Sequence, residues 1–331
     1  KCLDSIINQT LKSLEIICID DCSTDNSLNI LKEYQLKDNR IKIIEQKENK
    51  GQGVARNLGL NIAEGEYIMF LDPDDWLELN ALEILYKKSK ETNADIIHFN
   101  YIEENEKLKS SNYKNAAKII KKRFGIKAKN DGFYSLKNSD GSFLYKFDMQ
   151  VWDKIYKKDF ILKNNINFAP NKHGEDHLFT IGCLISADKI YYVDEYFYHY
   201  TKRNNSERDK ITDENFCVFE NLKLIENLLK EKALLNKYKN DFVKCIIHYL
   251  GWNLRKIPDI LEEKYINECK SLLNKKEYGK MLKVAYNQNS ILENIFSIKN
   301  DINKKTKNIT LFGIKFSIFL KRDLVNGEYH A

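Results

Sequence analysis

Long apolar runs are missing from this sequence. The longest, IICI at 16–19 and YIMFL at 67–71, fall far short of the roughly 20 residues that cross a bilayer, so no membrane-spanning segment is expected. Paired cysteines are missing as well. Seven stand at 2, 18, 22, 183, 217, 245 and 269, an odd number with no CxxC among them. That pattern predicts reduced thiols in a cytoplasm, with Cys18 a small core residue. Neither sign of charge dominates: 54 Lys and Arg against 48 Asp and Glu leave a net +6, gathered in the middle and the C-terminal third. Without a basic stripe interleaved with aromatics, nucleic acid is not an expected partner. A solvated lysine face is the plain reading of the excess, and clusters such as KKTK at 304–307 offer a sharper one, weak peripheral attraction to an anionic inner-membrane face. No internal repeat and no signal-peptide pattern is found. The opening KCLDSIINQT carries Leu3, Ile6 and Ile7 at helical spacing with no capping residue ahead, so it is expected to be a helix interior preceded by further residues.

What is present is an alternation. Apolar runs at 15–20 (EIICID), 41–46 (IKIIEQ), 66–72 (EYIMFLD) and 94–100 (ADIIHFN) are separated by segments with apolar residues three or four apart. Strands apolar on both faces and divided by helices predict an α/β fold, a mostly parallel, doubly wound sheet covered on each side. Residues 102–145 are polar and lysine-rich, with Gly125, Gly132 and Gly141 and no sustained period. Order returns with VWDKIYKKDFI, with GEDHLFTIGCLISA at 174–187 and with the aromatic KIYYVDEYFYHYTKR. From about 213 a stripe of Phe216, Phe219, Leu222, Ile225, Leu228 and Leu229 predicts helix. The expected organisation is a first domain at 1–212, with a nucleotide half to about 101 and an acceptor half after it, and a mainly helical region at 213–331 that closes on a hairpin around Gly313.

Ligands of an open α/β sheet bind beyond the carboxyl ends of its strands. Two predicted strands end there in acid, one on Asp20 and Asp21, the other on Asp72, Asp74 and Asp75. Clustered carboxylates repel one another, and a hard divalent ion, Mg²⁺ or Mn²⁺, relieves this while taking its other ligands from water and substrate phosphates. Pro73 fixes the turn so that Asp72 and Asp74 point to one cleft. A simple cap explains one of these acids, with Asp74 or Asp75 capping a helix from near Leu77. A calcium loop is excluded because its sixth position, a glycine, is Leu77. In DDCSTD, Ser23, Thr24 and Asp25 read as turn and cap, which leaves Asp20 and Asp21 for ligand. Between the acidic sites, NKGQGVARNLGL offers Gly51 and Gly53 for close backbone approach to a ligand and Arg56 for a phosphate or ribose.

Together, CLDSIINQT, EIICIDDCSTDNS, ENKGQGVARNLGL and GEYIMFLDPDDW resemble the family 2 glycosyltransferases, nucleotide-sugar enzymes of the GT-A fold, densely over 1–101 and more thinly to about 206. The resemblance implies that Asp21, with Asp20, contacts the base of the nucleotide, commonly uracil, and that Arg56 lies beside the nucleotide. It places Asp72 near the ribose and Asp74 on the metal as the DxD pair, with Asp75 assisting. Members usually begin with an apolar strand that this sequence does not contain. In GEDHLF, Asp176 is similar to the family's general base, with Glu175 beside it. An acidic first helical turn is the plainer account. His173 and Trp152 are candidates for the acceptor side or for supporting the site, while His177 and Trp76 are weaker ones.

The implied reaction is inverting transfer from a nucleotide-sugar, a UDP-sugar above all, to a hydroxyl of a glycan or lipid-linked acceptor. Enzymes of this resemblance commonly build bacterial capsule or lipooligosaccharide, and the Lys, Asn and Ile richness suits an AT-rich bacterial genome. Two other readings stand beside it: a metal-dependent nucleotidyltransferase and a non-catalytic binding protein.

Overall fold

The computed structural model describes residues 1–105, 110–114, 131–137, 149–202 and 216–286, and the backbone of strands at 296–301, 306–311 and 314–319. The chain forms two compact units, Lys1–Phe242 and Val243–Ala331.

In the first unit the expected alternation appears as α1 (Cys2–Ile7), β1 (Ile16–Asp20), α2 (Ser27–Lys37), β2 (Ile41–Glu45), α3 (Gln52–Ile62) and β3 (Tyr67–Met69). β1 and β2 pair in parallel, from Ile16 opposite Ile41 to Asp20 opposite Glu45. α3 packs on β1 around Gly59, where an added Cβ would make ordinary contact with Ile19 at 3.8 Å and Ile17 at 3.9 Å.

The larger sheet takes the order β3, β8 (Lys154–Lys157), β5 (Ile96–Asn105), β9 (Ile190–Lys202), β4 (Trp76–Leu77), with β6 (Ser110–Lys114) on β5 and β7 (Gly132–Tyr134) on β9. β5 and β9 are parallel, whereas β8 runs antiparallel to both of its neighbours. The α/β class with a helix-flanked sheet therefore stands, and its pairing is mixed because the VWDKIYKK segment slots between β3 and β5. The flanking helices include α4 (Ala81–Thr92), α5 (Lys158–Lys163), α6 (Asp176–Ser186) and α7 (Cys217–Glu231).

Three expectations change. The helix predicted from near Leu77 begins at Ala81 behind Asn80. Leu77 instead enters the core at 3% exposure and pairs with Tyr198 of β9, so neither Asp74 nor Asp75 caps a helix. The helix at 217–231, expected to open a separate C-terminal region, lies within the first unit. Gly125, Gly141 and Gly313 lie outside the described residues, as do the first two residues of KKTK, while Gly132 starts β7.

The second unit holds the end of α8 (Leu235–Leu254), α9 (Asp259–Leu272), α10 (Lys275–Tyr286) and an antiparallel meander of β10 (Phe296–Asp301), β11 (Thr306–Leu311) and β12 (Ile314–Phe319). The predicted hairpin is β11–β12, and β10 adds a strand that the sequence did not announce. Among the described residues no helix is long and apolar enough to cross a membrane.

Charge is also buried in the first unit's sheet. Asp153 is wholly inaccessible, accepts Lys154 Nζ at 2.5 Å and faces His98 Nε2 at 3.4 Å, with His98 Nδ1 3.0 Å from the Tyr134 hydroxyl. Burial pushes the Asp153 carboxyl up, but Lys154 and His98 outweigh it and hold it below the usual range. Asp153→Ala removes the buried carboxylate that Lys154 and His98 face, so urea unfolding is expected to show a loss of about 3–5 kcal/mol. A loss within about 0.5 kcal/mol, the range of surface substitutions, contradicts this account of the core.

Candidate active site

The site grows from three chain turns in the first unit: the end of β1, the acidic turn after β3, and the loop that enters α6. Asp20 is 5% exposed and accepts the Ser23 backbone N–H at 3.2 Å. Asp21 accepts three donors, Gln46 Nε2 at 2.7 Å, Lys50 N–H at 2.9 Å and Gly51 N–H at 2.7 Å. Its carboxylate therefore ties the end of β1 to the loop that starts α3, an arrangement that fixes the crevice wall where a base was expected.

The acidic turn sends its three carboxylates in different directions. Asp72 accepts Arg56 Nη2 at 2.8 Å, and its own N–H donates to the Tyr198 hydroxyl at 3.3 Å. Asp74 is exposed. Asp75 is 1% exposed, accepts the Tyr198 O–H at 2.5 Å and the Thr201 N–H at 2.7 Å, and has its carboxyl pushed up to about 7 by burial. The expectation that Asp75 assists a metal is corrected on these grounds: both of its oxygens pin the turn to β9 from inside.

Glu175 and Asp176 stand at the start of α6, Glu175 buried and Asp176 partly exposed. Glu175 Oε1 accepts Arg56 Nη1 at 2.5 Å, so one guanidinium bridges the acidic turn and the α6 loop. Arg56 also lies over the Phe168 ring, with 5.5 Å from Cζ to the centroid. Burial and the Asp176 charge raise the Glu175 carboxyl to about 7 against the pull of Arg56. His177 Nδ1 is 2.9 Å from Asp176 Oδ1 and 3.0 Å from the Gly174 carbonyl. The His173 carbonyl accepts Asn221 Nδ2 at 2.8 Å and lies 3.1 Å from Cys217 Sγ.

Trp152 is 4% exposed and stacks on Tyr198 at 4.4 Å and Tyr200 at 5.5 Å. It supports the wall behind the acidic turn through Tyr198. Trp76 stacks on His199 at 3.4 Å and donates Nε1–H to Glu104.

Gly51 and Gly53, expected to admit a ligand, instead admit the protein's own chain. A Cβ on Gly53 would collide with the Ala169 carbonyl and stand 2.9 Å from Glu175 Cβ. One on Gly51, whose φ is +89°, would meet Lys172. The residues that sequence reasoning missed are Tyr198, Asn57 and Asn221. Asn221 had a signal: it is a polar residue, 4% exposed, inside the apolar stripe of α7.

Among the described residues no group of three or more His, Cys, Asp or Glu side chains could hold a metal ion by itself. The donor set suits an ion held by one exposed carboxylate, Asp74, and completed by substrate phosphates and water, which is how Mg²⁺ commonly binds.

A mixed sheet flanked by helices thus carries an acidic turn at its edge and a second acid pair at a helix start. The family model described as "Glycosyl transferase family 2" matches residues 1–150. The chain is 31% identical to a cholesterol galactosyltransferase of Borreliella burgdorferi over 94% of this chain and 91% of that one. It is 34% identical to a poly(ribitol-phosphate) beta-glucosyltransferase of Bacillus spizizenii over 65% of this chain and 32% of that one. In fold it is similar to the crystal structure of S. aureus TarS 1–349 in complex with UDP-GlcNAc, with a TM-score of 0.60, 22% identity, and coverage of 97% of this chain and 95% of that one. The chain belongs to glycosyltransferase family 2 and is a transferase enzyme.

A raised Glu175 pKa carries a sign. The folded state holds this proton more tightly than the unfolded one, so the associated stability is present below the ordinary value of 4.5 and is lost as pH rises through about 7. Glu175→Gln keeps an acceptor for Arg56 and removes the titration. Its stability relative to the parent is expected to climb between pH 4.5 and 7, read by denaturant unfolding at several pH values. A difference that stays flat across that window contradicts the assignment.

Proposed function

We propose that the protein transfers a sugar, with inversion, from a UDP-sugar to a hydroxyl of a glycan or lipid-linked acceptor in the synthesis of a bacterial surface glycan. The observation that carries this reading is the bridge of Arg56 between Asp72 of the acidic turn and Glu175, the residue next to Asp176, two carboxylates from distant parts of the chain joined by one guanidinium. Asp176 is the general base. It is partly exposed at the start of α6, where an acceptor can reach it, and its removal of the hydroxyl proton makes that oxygen the nucleophile at the anomeric carbon. Asp72 borders the ribose side, held there by Arg56, and the end of β1 with Asp20 and Asp21 forms the wall for the base.

The departing nucleoside diphosphate needs positive charge. A divalent cation, Mn²⁺ or Mg²⁺, held by Asp74 supplies electrostatic stabilisation of that leaving group when bound. The other steps belong to the chain: Asp176 takes the proton, Glu175 and Arg56 set its place, and the exposed side of the turn admits the donor. His173 borders the acceptor side, and Trp152 backs the turn from within. The free cysteines agree with a reducing compartment, so the reading sets the enzyme in the cytoplasm, with peripheral contact to the inner membrane face where a lipid-linked acceptor is used.

Two substitutions and a donor panel test it. UDP-glucose, UDP-galactose, UDP-GlcNAc and UDP-GalNAc are offered with Mn²⁺, and thermal stabilisation and UDP release are followed. One donor is expected to be cleaved in a metal-dependent way. Asp74→Ala is expected to weaken UDP·Mn²⁺ binding, and Asp176→Asn to keep that binding while lowering transfer about 10²–10⁴-fold, the usual contribution of a general base. Transfer by Asp176→Asn near the parent rate removes it from the mechanism. Pyrophosphate release from a nucleoside triphosphate and a sugar phosphate replaces the reading with nucleotidyl transfer.

A further inference from the structure

The GVARN stretch at 53–57 makes a set of contacts that its sequence position does not suggest. Three of its residues reach one segment more than a hundred positions away. Gly53 meets the Ala169 carbonyl and the Glu175 side chain with no room for a methyl group. Arg56 donates to Glu175 and lies over Phe168. Asn57 closes a two-way amide pair with the backbone of Phe168, donating Nδ2–H to its carbonyl at 3.0 Å and accepting its N–H at 2.9 Å. The segment is tied on itself by Ala169 N–H to the Glu175 carbonyl at 3.2 Å. From the other side, Asn221 of α7 donates to the carbonyls of His173, at 2.8 Å, and Gly174, at 3.2 Å, and accepts from Asn171 at 2.5 Å. Gly174 takes a φ of +68°, which turns the chain directly into Glu175 and Asp176.

We infer that Gly53, Arg56 and Asn57 form a socket that, with Asn221 as its clamp, positions the base Asp176 against the acidic turn. Arg56 is a positioning residue that acts through Glu175 and Asp72; it is not a ligand of the nucleotide. The inference rests on the proposed role of Asp176 and adds what fixes that role in space.

The chemistry favours this assignment. A guanidinium spends its fork on two carboxylates, one at 2.8 Å and one at 2.5 Å, and a third N–H contact goes to Gln52 Oε1 at 3.2 Å. Its planar, permanently charged donors suit a bridge between two acids better than a lysine's point charge. A backbone segment held at Phe168 N–H and C=O, at Glu175 and at His173 C=O has little freedom to carry Asp176 away from its place, and displacement of a reacting group by about 1 Å costs on the order of 10²-fold in rate.

Arg56→Lys, Asn57→Ala and Asn221→Ala in the full chain test this, with two readouts. The first is hydrogen exchange of the peptide covering 166–177 without any nucleotide, which reports on the socket whether or not the enzyme turns over. Asn57→Ala is expected to raise exchange at the Phe168 amide at least about tenfold, matching loss of a hydrogen bond worth about 1.4 kcal/mol. The second is UDP·Mn²⁺ affinity by calorimetry set against turnover of the active UDP-sugar at saturating donor. Arg56→Lys is expected to keep UDP affinity within about threefold and to lower turnover about 10²-fold. Unchanged exchange in both asparagine variants overturns the socket. A tenfold or greater loss of UDP affinity with turnover kept in Arg56→Lys makes Arg56 a nucleotide ligand and overturns its positioning role. If the parent protein binds no UDP with Mn²⁺, the proposed function fails, and the exchange result still decides the socket.

Discussion

A buried guanidinium shared by two carboxylates is the interaction on which the geometry of this site depends. Arg56 is 15% exposed in its side chain, and its partners Asp72 and Glu175 come from different parts of the chain, a turn after a strand and the cap of a helix. Neither acid could be brought this close to the other without the cation. Each desolvated charge costs several kcal/mol, and only the mutual attraction with good hydrogen-bond geometry offsets that, so such groups exist buried as a set or not at all. The set brings two distant segments into register: one end of Arg56 holds the acidic turn, the other the α6 loop.

The close approach has a steric condition as well. Arg56 reaches Glu175 only because α3 comes up against the 169–175 segment, and α3 comes that close only because residue 53 lacks a side chain. On its other face the same helix rests on β1 at Gly59. Two glycines in an 11-residue helix weaken it by about 1 kcal/mol each, and at Gly53 the close contact with the 169–175 segment is what that cost makes possible. Helical propensity is sacrificed here to packing, and packing is what sets the distances of the site.

Much of this was legible in the residues. The alternation of apolar runs and helical spacing gave the strands β1, β2, β3 and β5 and the helices between them, because the apolar period of each element shows in the sequence. β8 and β4 were less legible. Lys154–Lys157 is lysine-flanked yet buried at its first three positions, with Lys154 neutralised by Asp153. Trp76–Leu77 is two residues long and owes its strand conformation to pairing with β9. The acids were found as a group, since three carboxylates and a proline after an apolar run are conspicuous. Their orientations were not, because direction follows from partners far along the chain: Tyr198 and Thr201 for Asp75, Arg56 for Asp72. The two glycines were recognised as sites of close approach, but the approaching group was the protein's own backbone. No local pattern distinguishes a ligand from a distant segment.

The crowding of charge in DPDD is resolved by giving each carboxylate a different environment. Asp72 is neutralised by a cation built into the fold. Asp75 is withdrawn into the core, where burial favours its protonated form and Tyr198 and Thr201 occupy its oxygens. Asp74 is the most exposed of the three. Three like charges on four adjacent positions thereby receive three different environments, in a turn that is fixed from behind by β9 and from the side by Arg56. A single rigidly placed carboxylate is a weak metal site alone and an adequate one when a diphosphate completes the coordination. Under the proposed function, such an arrangement would make cation affinity depend on the nucleotide, because one carboxylate leaves most of the coordination to the diphosphate and water.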